Sequence, residues 1–180
     1  AGDFLYVDVD TVFAEALDHS DFDKELMAVP NAHKDFYSNE LYEWNKKNLR
    51  SLGFYEDFEV YYNSGVMFSK DTPAVHAFFE RWHQLWGESL SKGIAVDQPS
   101  LNQTNYELDY LIQKLPDCYN AQILRSIRYL SRAKIIHYFT SQIEIDVESP
   151  YLFTKRVFWE QIKKEGFKEE VLESIYNPKE

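Results

Sequence analysis

The spacing of apolar positions predicts a chain in which short buried strands alternate with helices. Three apolar runs have the length of buried strands and contain or end in polar residues: FLYVDVDTVF at 4–13, EVYYNSGVMFS at 59–69, and Ile135–His137. A further strand is predicted at Leu26–Val29, where Pro30 ends it. This alternation favours an α/β fold with a mixed, mostly parallel sheet and flanking helices, whose ligands bind at the carboxyl ends of the strands.

Other segments repeat apolar residues at intervals of three and four, as amphipathic helices do. Gly53 suits the end of the first such segment, and Pro73 and Pro99 suit the first turns of the second and third. The predicted helices are Tyr37–Leu52, Pro73–Leu90, Asp97–Tyr106, Lys155–Glu165 and Lys168–Tyr176. Because the chain has no internal repeat and no linker rich in Gly and Ser, we expect residues 1–180 to form a single domain.

Composition and charge narrow the classes of partner. The formal net charge of −11 argues against nucleic acid, because duplex affinity depends on Lys and Arg. An acidic chain also repels phosphates, so a nucleotide would need a divalent cation or a confined basic patch. Tyr and Trp suit carbohydrate surfaces, although packing in a core is their commoner use. With Cys118 as the single cysteine and no apolar stretch of about 20 residues, we expect a cytoplasmic location, at most at the membrane surface.

Asp8, Asp10 and His137 are the strongest candidates for chemistry. Two carboxylates two residues apart on a strand share a face, and a neutral imidazole can join them to hold Mn²⁺ or Mg²⁺. The D-x-D pattern is short, and a lone His on an apolar strand is more often a core residue, so a structural interpretation stays open. Asn63–Gly65 interrupts another strand signal, and we expect all these groups to meet in one cleft.

A basic window precedes His137. Residues 118–143 contain no acid, yet they carry Arg125, Arg128, Arg132 and Lys134. Spacings of three and four would place the arginines on one side of a helix, where guanidinium groups suit phosphate oxygens. Arg132 is therefore a candidate phosphate contact, while a solvated helix face or a patch for an anionic membrane surface are the alternatives.

Four motifs, taken in order, resemble those of glycosyltransferases with the A-type fold, and most closely the glycogenin-like retaining family. The motifs are FLYVDVDTVF, YYNSGVMFS, VDQPSLN and IIHYF. The resemblance implies a nucleotide-diphospho-sugar transferase fold and transfer of a hexose from a nucleotide-diphosphate sugar to a hydroxyl of a glycan or other acceptor. It also implies that Asp10 and His137 bind a divalent metal, and that Asp8 reaches toward both the ribose and the metal.

The same resemblance assigns roles around the sugar. Asn63 and Ser64 are implied to contact the donor sugar or the acceptor, with Gly65 permitting close approach. Asp97 and Gln98 match the D-Q pair that lies beside the reacting sugar carbon in this family. Together these side chains would orient the sugar for attack by the acceptor hydroxyl.

The sequence departs from the family pattern in two places. The YFTSQIEI segment follows His137, where the family has a Gly and then a Lys-Pro-Trp whose lysine clamps the diphosphate. The D-x-D motif begins at residue 8, whereas the family places a nucleotide-binding βαβ layer before it. We therefore expect the fold to lack its N-terminal nucleotide-binding layer, and the phosphates to be held by another group.

Two alternatives use the same residues differently. The DVDT segment also resembles haloacid-dehalogenase-like phosphatases, in which Asp8 would be the nucleophile and Asp10 the general acid and base. That class needs a later acidic pair for magnesium, and the first acid after His137 is Glu144. The second alternative is a non-catalytic sugar-binding or regulatory module.

Overall fold

The computed structural model describes residues 2–31, 39–122, 132–138, 164–165 and 169. The chain divides into two compact units. Unit 1 consists of Ala1–Val7 and Asp18–Pro116, and unit 2 of Asp8–Leu17 and Asp117–Glu180. The predicted helices at 155–165 and 168–176 lie largely outside the described residues, although Lys164, Glu165 and Glu169 are helical.

The elements follow one another as strands, helices and short 3₁₀ turns. The strands are β1 (Phe4–Val7), β2 (Thr11–Phe13), β3 (Leu26–Pro30), β4 (Tyr62–Ser69), β5 (Ile112–Lys114), β6 (Ala121–Gln122) and β7 (Ile135–His137). The helices are α1 (Asn39–Leu52), α2 (Pro73–Ser91) and α3 (Gln98–Glu107). The 3₁₀ turns are His19–Asp21 and Asp117–Asn120.

Unit 1 is built on a four-stranded sheet in the order β1-β4-β3-β5. Strand β4 is antiparallel to both β1 and β3, and β5 is parallel to β3. The α/β class and the mixed sheet are confirmed, but the expected parallel majority is wrong. Helix α1 does not carry the chain across the sheet, because the segment 53–61 after it returns to the end of β3, where the Asn31 N–H donates to the Tyr61 carbonyl at 2.7 Å.

The core of unit 1 lies between this sheet and helices α2 and α3. Every residue of β3 and β4 is buried, as the apolar run of β3 predicts, and the burial of β4 includes its polar residues Asn63, Ser64 and Ser69. Phe78 from α2 and Leu101 from α3 are fully buried against Met67 of β4. Burying a side chain of this size stabilises the fold by about 1.5–3 kcal/mol, so these contacts hold α2 and α3 against the sheet.

The ends of the unit 1 helices follow the signals in the sequence. Helix α1 ends before Gly53, whose φ of 76° lies in the left-handed region that glycine adopts without a steric penalty. Helix α2 begins after Thr72, whose hydroxyl accepts a hydrogen bond from the Val75 N–H at 3.4 Å, with Pro73 in the first turn. Both predicted boundaries are confirmed to within two residues.

Unit 2 contains a three-stranded sheet in the order β2-β7-β6. Strand β7 lies between an antiparallel β2 and a parallel β6, and all three of its residues are buried. Two backbone bonds extend this pairing: the Ala14 N–H donates to the Lys134 carbonyl and the Tyr138 N–H donates to the Asp10 carbonyl, each at 2.9 Å. The sheet therefore ties the D-x-D segment to the strand that carries His137.

Within the part of the chain that the structure describes, no helix has both the length and the apolar character needed to cross a bilayer.

Candidate functional site

The D-x-D acids of unit 2 lie on a turn just before β2. The Thr11 hydroxyl donates to the Asp8 carbonyl at 2.7 Å, and Asp10 accepts the bond from Tyr138, so the backbone of the turn is held at both ends. Val9 between them is fully exposed. The two carboxylates thus converge because a turn folds them together, and the predicted arrangement on one face of a continuous strand is wrong.

His137 ends β7 with its side chain buried, and its ring faces both acids. Its Nε2 lies 3.3 Å from Asp10 Oδ1 and 3.7 Å from Asp8 Oδ2. Each of the three residues offers one potential metal-ligating atom, and these three atoms all lie within 4.8 Å of one another. The structure therefore brings Asp8, Asp10 and His137 together in the cluster that the sequence predicts; we call it the acidic triad.

A hydrogen bond on the far side of the ring sets the tautomer of His137. Its Nδ1 lies 2.9 Å from Asn120 Oδ1, and because a carboxamide oxygen only accepts, Nδ1 carries the proton and donates. Burial lowers the pKa of His137, opposed by the negative charges of Asp10 and Asp8. The neutral ring then points the lone pair of Nε2 at two carboxylates.

The acidic triad is therefore a set of electron-pair donors that face one another. In the absence of a cation, the two carboxylates repel each other and the imidazole lone pair. Two carboxylates and one neutral imidazole, with the second ring nitrogen held by a hydrogen bond, form a donor set that suits a hard-to-borderline divalent ion such as Mn²⁺ or Mg²⁺.

Sequence reasoning missed Asn120. It ends the 3₁₀ turn Asp117–Asn120 and is fully buried, directly before β6. The parallel pairing of β6 with β7, in which Gln122 lies opposite His137, brings Asn120 beside the imidazole. No motif marks this asparagine, so only the strand pairing could have found it.

The candidate sugar-binding residues of unit 1 form a second group. Asn63, Ser64 and Gly65 lie within β4, near its first residue, so the expected position at a strand's carboxyl end is wrong. Because β4 runs antiparallel to β3, with Tyr62 opposite Pro30, these residues still lie at the sheet end where β3 finishes.

The N-S-G and D-Q motifs contact each other in the structure. The Ser64 hydroxyl donates to Asp97 Oδ1 at 3.2 Å, and Asn63 Nδ2 lies 3.5 Å from Gln98 Oε1. Asp97 occupies the residue before α3, yet its side chain makes no capping bond to that helix. Its helical backbone angles (φ −89°, ψ −23°) differ from the extended ones that a capping residue adopts, and the carboxylate bonds to β4 instead.

Asn102 was also missed, although it is the last letter of VDQPSLN and lies one helical turn after Gln98. Its Oδ1 accepts from the Tyr62 N–H at 2.7 Å, and its Nδ2 donates to the Tyr62 carbonyl at 3.0 Å. The fully buried carboxamide thus pairs with the strand as a peptide group would, on the side of β4 that faces away from β3. We call Asn63, Ser64, Asp97, Gln98 and Asn102 the polar cluster.

The basic window is described only in part. Arg125 and Arg128 lie outside the described residues, so their predicted helical face stays a prediction. Arg132 is exposed, and Lys134 forms an ion pair with Glu15 at 3.0 Å. Lys134 is therefore engaged within unit 2. The acidic triad lies in unit 2 and the polar cluster in unit 1, so their meeting in one cleft also stays a prediction.

Comparison with known proteins identifies the family to which the chain belongs. A family model described as a nucleotide-diphospho-sugar transferase matches residues 2–166, and the chain therefore belongs to that family. The expected A-type fold is confirmed, and the phosphatase alternative is not favoured. No curated protein matches the chain.

Two solved glycosyltransferase structures resemble the chain at low identity. One is the galactosyltransferase LgtC in complex with donor and acceptor sugar analogues, with 18% identity and a TM-score of 0.46, covering 76% of this chain and 52% of that one. The other is the apo structure of the bifunctional glycosyltransferase WbbM, with 15% identity and a TM-score of 0.48, covering 76% of this chain and 28% of that one. The chain thus spans about half the length of LgtC and less of WbbM.

Proposed function

We propose that the protein transfers a hexose from a nucleotide-diphosphate sugar to a hydroxyl of a glycan or other acceptor, with both units belonging to one catalytic domain. The observation that carries the proposal is the acidic triad, a divalent-ion donor set found in a member of the nucleotide-diphospho-sugar transferase family. We further propose the glycogenin-like subgroup and retention of anomeric configuration, which rest on the order of the four sequence motifs.

The acidic triad would hold the metal. Asp10 and His137 are the proposed ligands, with Asp8 assisting and reaching toward the ribose. A divalent ion bound here, Mn²⁺ or Mg²⁺, supplies positive charge that offsets the charge of the departing nucleotide diphosphate. Asn120 keeps the lone pair of His137 Nε2 directed at the acids, so the donor set is arranged before any ion arrives.

The polar cluster would orient the sugar. Asn63, Ser64, Asp97 and Gln98 carry hydroxyl, carboxamide and carboxylate groups that can exchange hydrogen bonds with sugar hydroxyls. In the transfer, the bond from the anomeric carbon to the diphosphate oxygen breaks and its electron pair leaves on that oxygen. The acceptor oxygen forms the new bond to the anomeric carbon, and its proton passes to the departing diphosphate. Holding the sugar near this geometry contributes by proximity and orientation.

A residue of the basic window would bind the phosphates of the nucleotide-diphosphate sugar. Arg132 is the proposed contact because it is exposed and lies five residues before His137 in the same unit. A planar guanidinium can bind two phosphate oxygens at once. Contact with an anionic membrane surface and a cytoplasmic location stay predictions from the sequence.

The test is calorimetric titration of the chain with Mn²⁺, followed by uridine and guanosine diphosphates, for the wild type and for Asp10→Ala. We expect the wild type to bind Mn²⁺ and the variant to lose this binding while keeping the same circular dichroism spectrum. Release of nucleotide from a series of nucleotide-diphosphate hexoses then tests turnover.

Three outcomes would contradict the proposal: no binding of Mn²⁺ or Mg²⁺, equal binding by the variant, or hydrolysis of an aryl phosphate without nucleotide-sugar turnover. The last outcome would favour the phosphatase alternative. Equal loss of folding and of metal binding in Asp10→Ala would instead assign the acid a structural role.

A further inference from the structure

A pocket of about 300 Å³ lies in unit 1, separate from the acidic triad. One wall is α1, the other is the return segment 56–61, and the end of β3 forms the floor. Its volume matches the lower limit of pockets that bind small molecules. The pocket is therefore large enough for a ligand of one to two sugar rings.

The polar side chains that line the pocket are two carboxamides, two carboxylates, one ammonium group and one phenol: Asn31, Asn45, Glu56, Glu59, Lys46 and Tyr61. Asn31 from the floor and Asn45 from α1 are 5% and 4% exposed, so both carboxamides belong to the buried lining. Glu59 at the rim is exposed. Carboxamides and carboxylates together donate to and accept from neighbouring hydroxyls, which matches the hydrogen-bonding pattern of a sugar.

The charges of the pocket disfavour an anion. Lys46 forms an ion pair with Asp57 at 3.4 Å, and Glu56 forms one with Arg50 at 2.6 Å. Glu59 has no ion pair within the ranges that the structure describes, so the described lining residues carry one unbalanced negative charge. A phosphate or nucleotide would be repelled, whereas a neutral ligand would not.

Aromatic rings lead from the pocket to the surface of unit 1. Tyr61 and Phe58 line the pocket, Phe58 contacts Tyr55 at a centroid distance of 5.1 Å, and Tyr55 stacks on Tyr106 at 4.3 Å with an interplanar angle of 6°. Tyr110 continues the series at 6.1 Å from Tyr106. These five rings are called the aromatic row; such rings have apolar faces that can stack on the faces of sugar rings.

The row is held in place rather than merely collected at the surface. The Tyr55 N–H donates to Gln103 Oε1 of α3 at 2.8 Å. Tyr110 has a φ of 60°, in the left-handed region that non-glycine residues seldom adopt, and its N–H donates to the Asn105 carbonyl at 2.7 Å. Tyr106 and Tyr110 nevertheless stay 41% and 47% exposed. The bond from Tyr110 to Asn105 closes the end of α3, so the helix terminus fixes the positions of both exposed rings.

We propose that the pocket and the aromatic row bind a neutral saccharide, with one ring in the pocket and further units along the row. Resting on the proposed function, this saccharide is the acceptor glycan. Asn31 connects the two parts of unit 1, because its Oδ1 lies 3.5 Å from Asn63 Nδ2 of the polar cluster. A glycan seated in the pocket therefore reaches the residues proposed to orient the transferred sugar.

The experiment measures saccharide binding in the absence of Mn²⁺ and nucleotide. The wild-type chain is screened on an array of neutral oligosaccharides, and maltotriose, cellotriose, chitotriose and glucose 6-phosphate are then compared by saturation-transfer NMR and calorimetry. Phe58→Ala is expected to weaken trisaccharide binding about tenfold. Tyr110→Ala should weaken binding of the trisaccharide but leave binding of its monosaccharide unchanged.

Two variants separate binding from folding. Tyr6→Ala removes a ring that is 46% exposed on β1, outside the row, and should leave affinity unchanged. Glu59→Gln keeps the shape of the rim and should reduce the preference for neutral sugars over glucose 6-phosphate, with no change in melting temperature.

The possible failures are distinguishable. Saccharide binding without any Mn²⁺ binding would contradict the proposed metal-dependent transfer but support the saccharide site. Mn²⁺ binding without binding to any neutral saccharide on the array would overturn the saccharide site alone. Equal affinity of the wild type, Phe58→Ala and Tyr110→Ala would also overturn it, because the row would then be only a packing cluster.

Discussion

The acidic triad of unit 2 and the polar cluster of unit 1 are both collections of polar side chains in a folded interior, but they differ in how their hydrogen bonds and charges balance. In the polar cluster, donors meet acceptors: Asn102 saturates both groups of the Tyr62 peptide, and Ser64 donates to Asp97. In the acidic triad, the neutral His137 presents a lone pair to Asp8 and Asp10.

The difference teaches which group needs a ligand for its own stability. A polar group whose donors and acceptors are matched stabilises the fold without help, because each buried atom recovers the hydrogen bond it lost to water. A group of facing acceptors is destabilising until a cation or proton enters. Substitutions should therefore damage folding in the polar cluster and metal binding in the acidic triad.

The largest expected effect is on metal affinity. Asp10→Asn keeps the shape of the side chain but removes a charged ligand, so Mn²⁺ affinity measured by calorimetry should fall by at least about 100-fold. The metal-free variant should be as stable as the wild type or more so, because one of two like charges is gone. Glu80→Gln on the exposed face of α2 is the matched control, and a similar loss of affinity there would show only a general charge effect.

The next effect is on folding. Asn102→Leu strands the buried N–H of Tyr62, while the carbonyl keeps a 3.4 Å bond from Gln98, and urea denaturation should show a loss of about 1–3 kcal/mol, the cost of one unsatisfied buried group. Mn²⁺ affinity should not change. Asn48→Leu on α1 is the matched control, because Asn48 Nδ2 is buried with no hydrogen-bond partner among the described residues. If both variants lose the same stability, the Tyr62 bonds are not the cause.

A smaller loss of metal affinity should follow substitution of Asn120, which bonds to Nδ1 of His137. Asn120→Ala removes the acceptor that holds the His137 Nδ1 proton, and Mn²⁺ affinity should fall about tenfold as the ring loses its fixed tautomer. Asn120→Asp retains an acceptor oxygen and should restore most of the affinity. Equal loss in both variants would mean that Asn120 supports packing alone.

The smallest effect tests the contact between the two motifs of unit 1. Ser64→Ala removes the hydroxyl that donates to Asp97, and the free energy of unfolding should drop by about 1 kcal/mol, the net value of one hydrogen bond. Its Mn²⁺ affinity should equal that of the wild type. A loss of metal affinity in this variant would break the separation of the two groups.

Local features of the molecule could be predicted from the residues alone. Strand β3 and helices α1, α2 and α3 were predicted to within a few residues, because apolar periodicity, Pro73 and Gly53 act within one or two turns of chain. Asp8, Asp10 and His137 could be chosen because carboxylates and imidazole carry metal chemistry in their side chains. Trp44 lies two intervals of four before the buried Leu52 on α1, yet it is 50% exposed, so periodicity alone misplaces one large ring.

The pairing of distant segments was decided only in three dimensions. The direction of β4 depended on the path of the return segment 53–61. The sequence of this segment does not indicate at which end of the sheet the chain enters β4. Asn120 and Asn102 gained their partners through strand pairing and helix packing over separations of 17 and 40 residues. The sequence determines which side chains can bind a ligand and which can be buried in a core, because those properties belong to single side chains. Contacts between such residues depend on burial of the whole core, and so only the tertiary structure decided them.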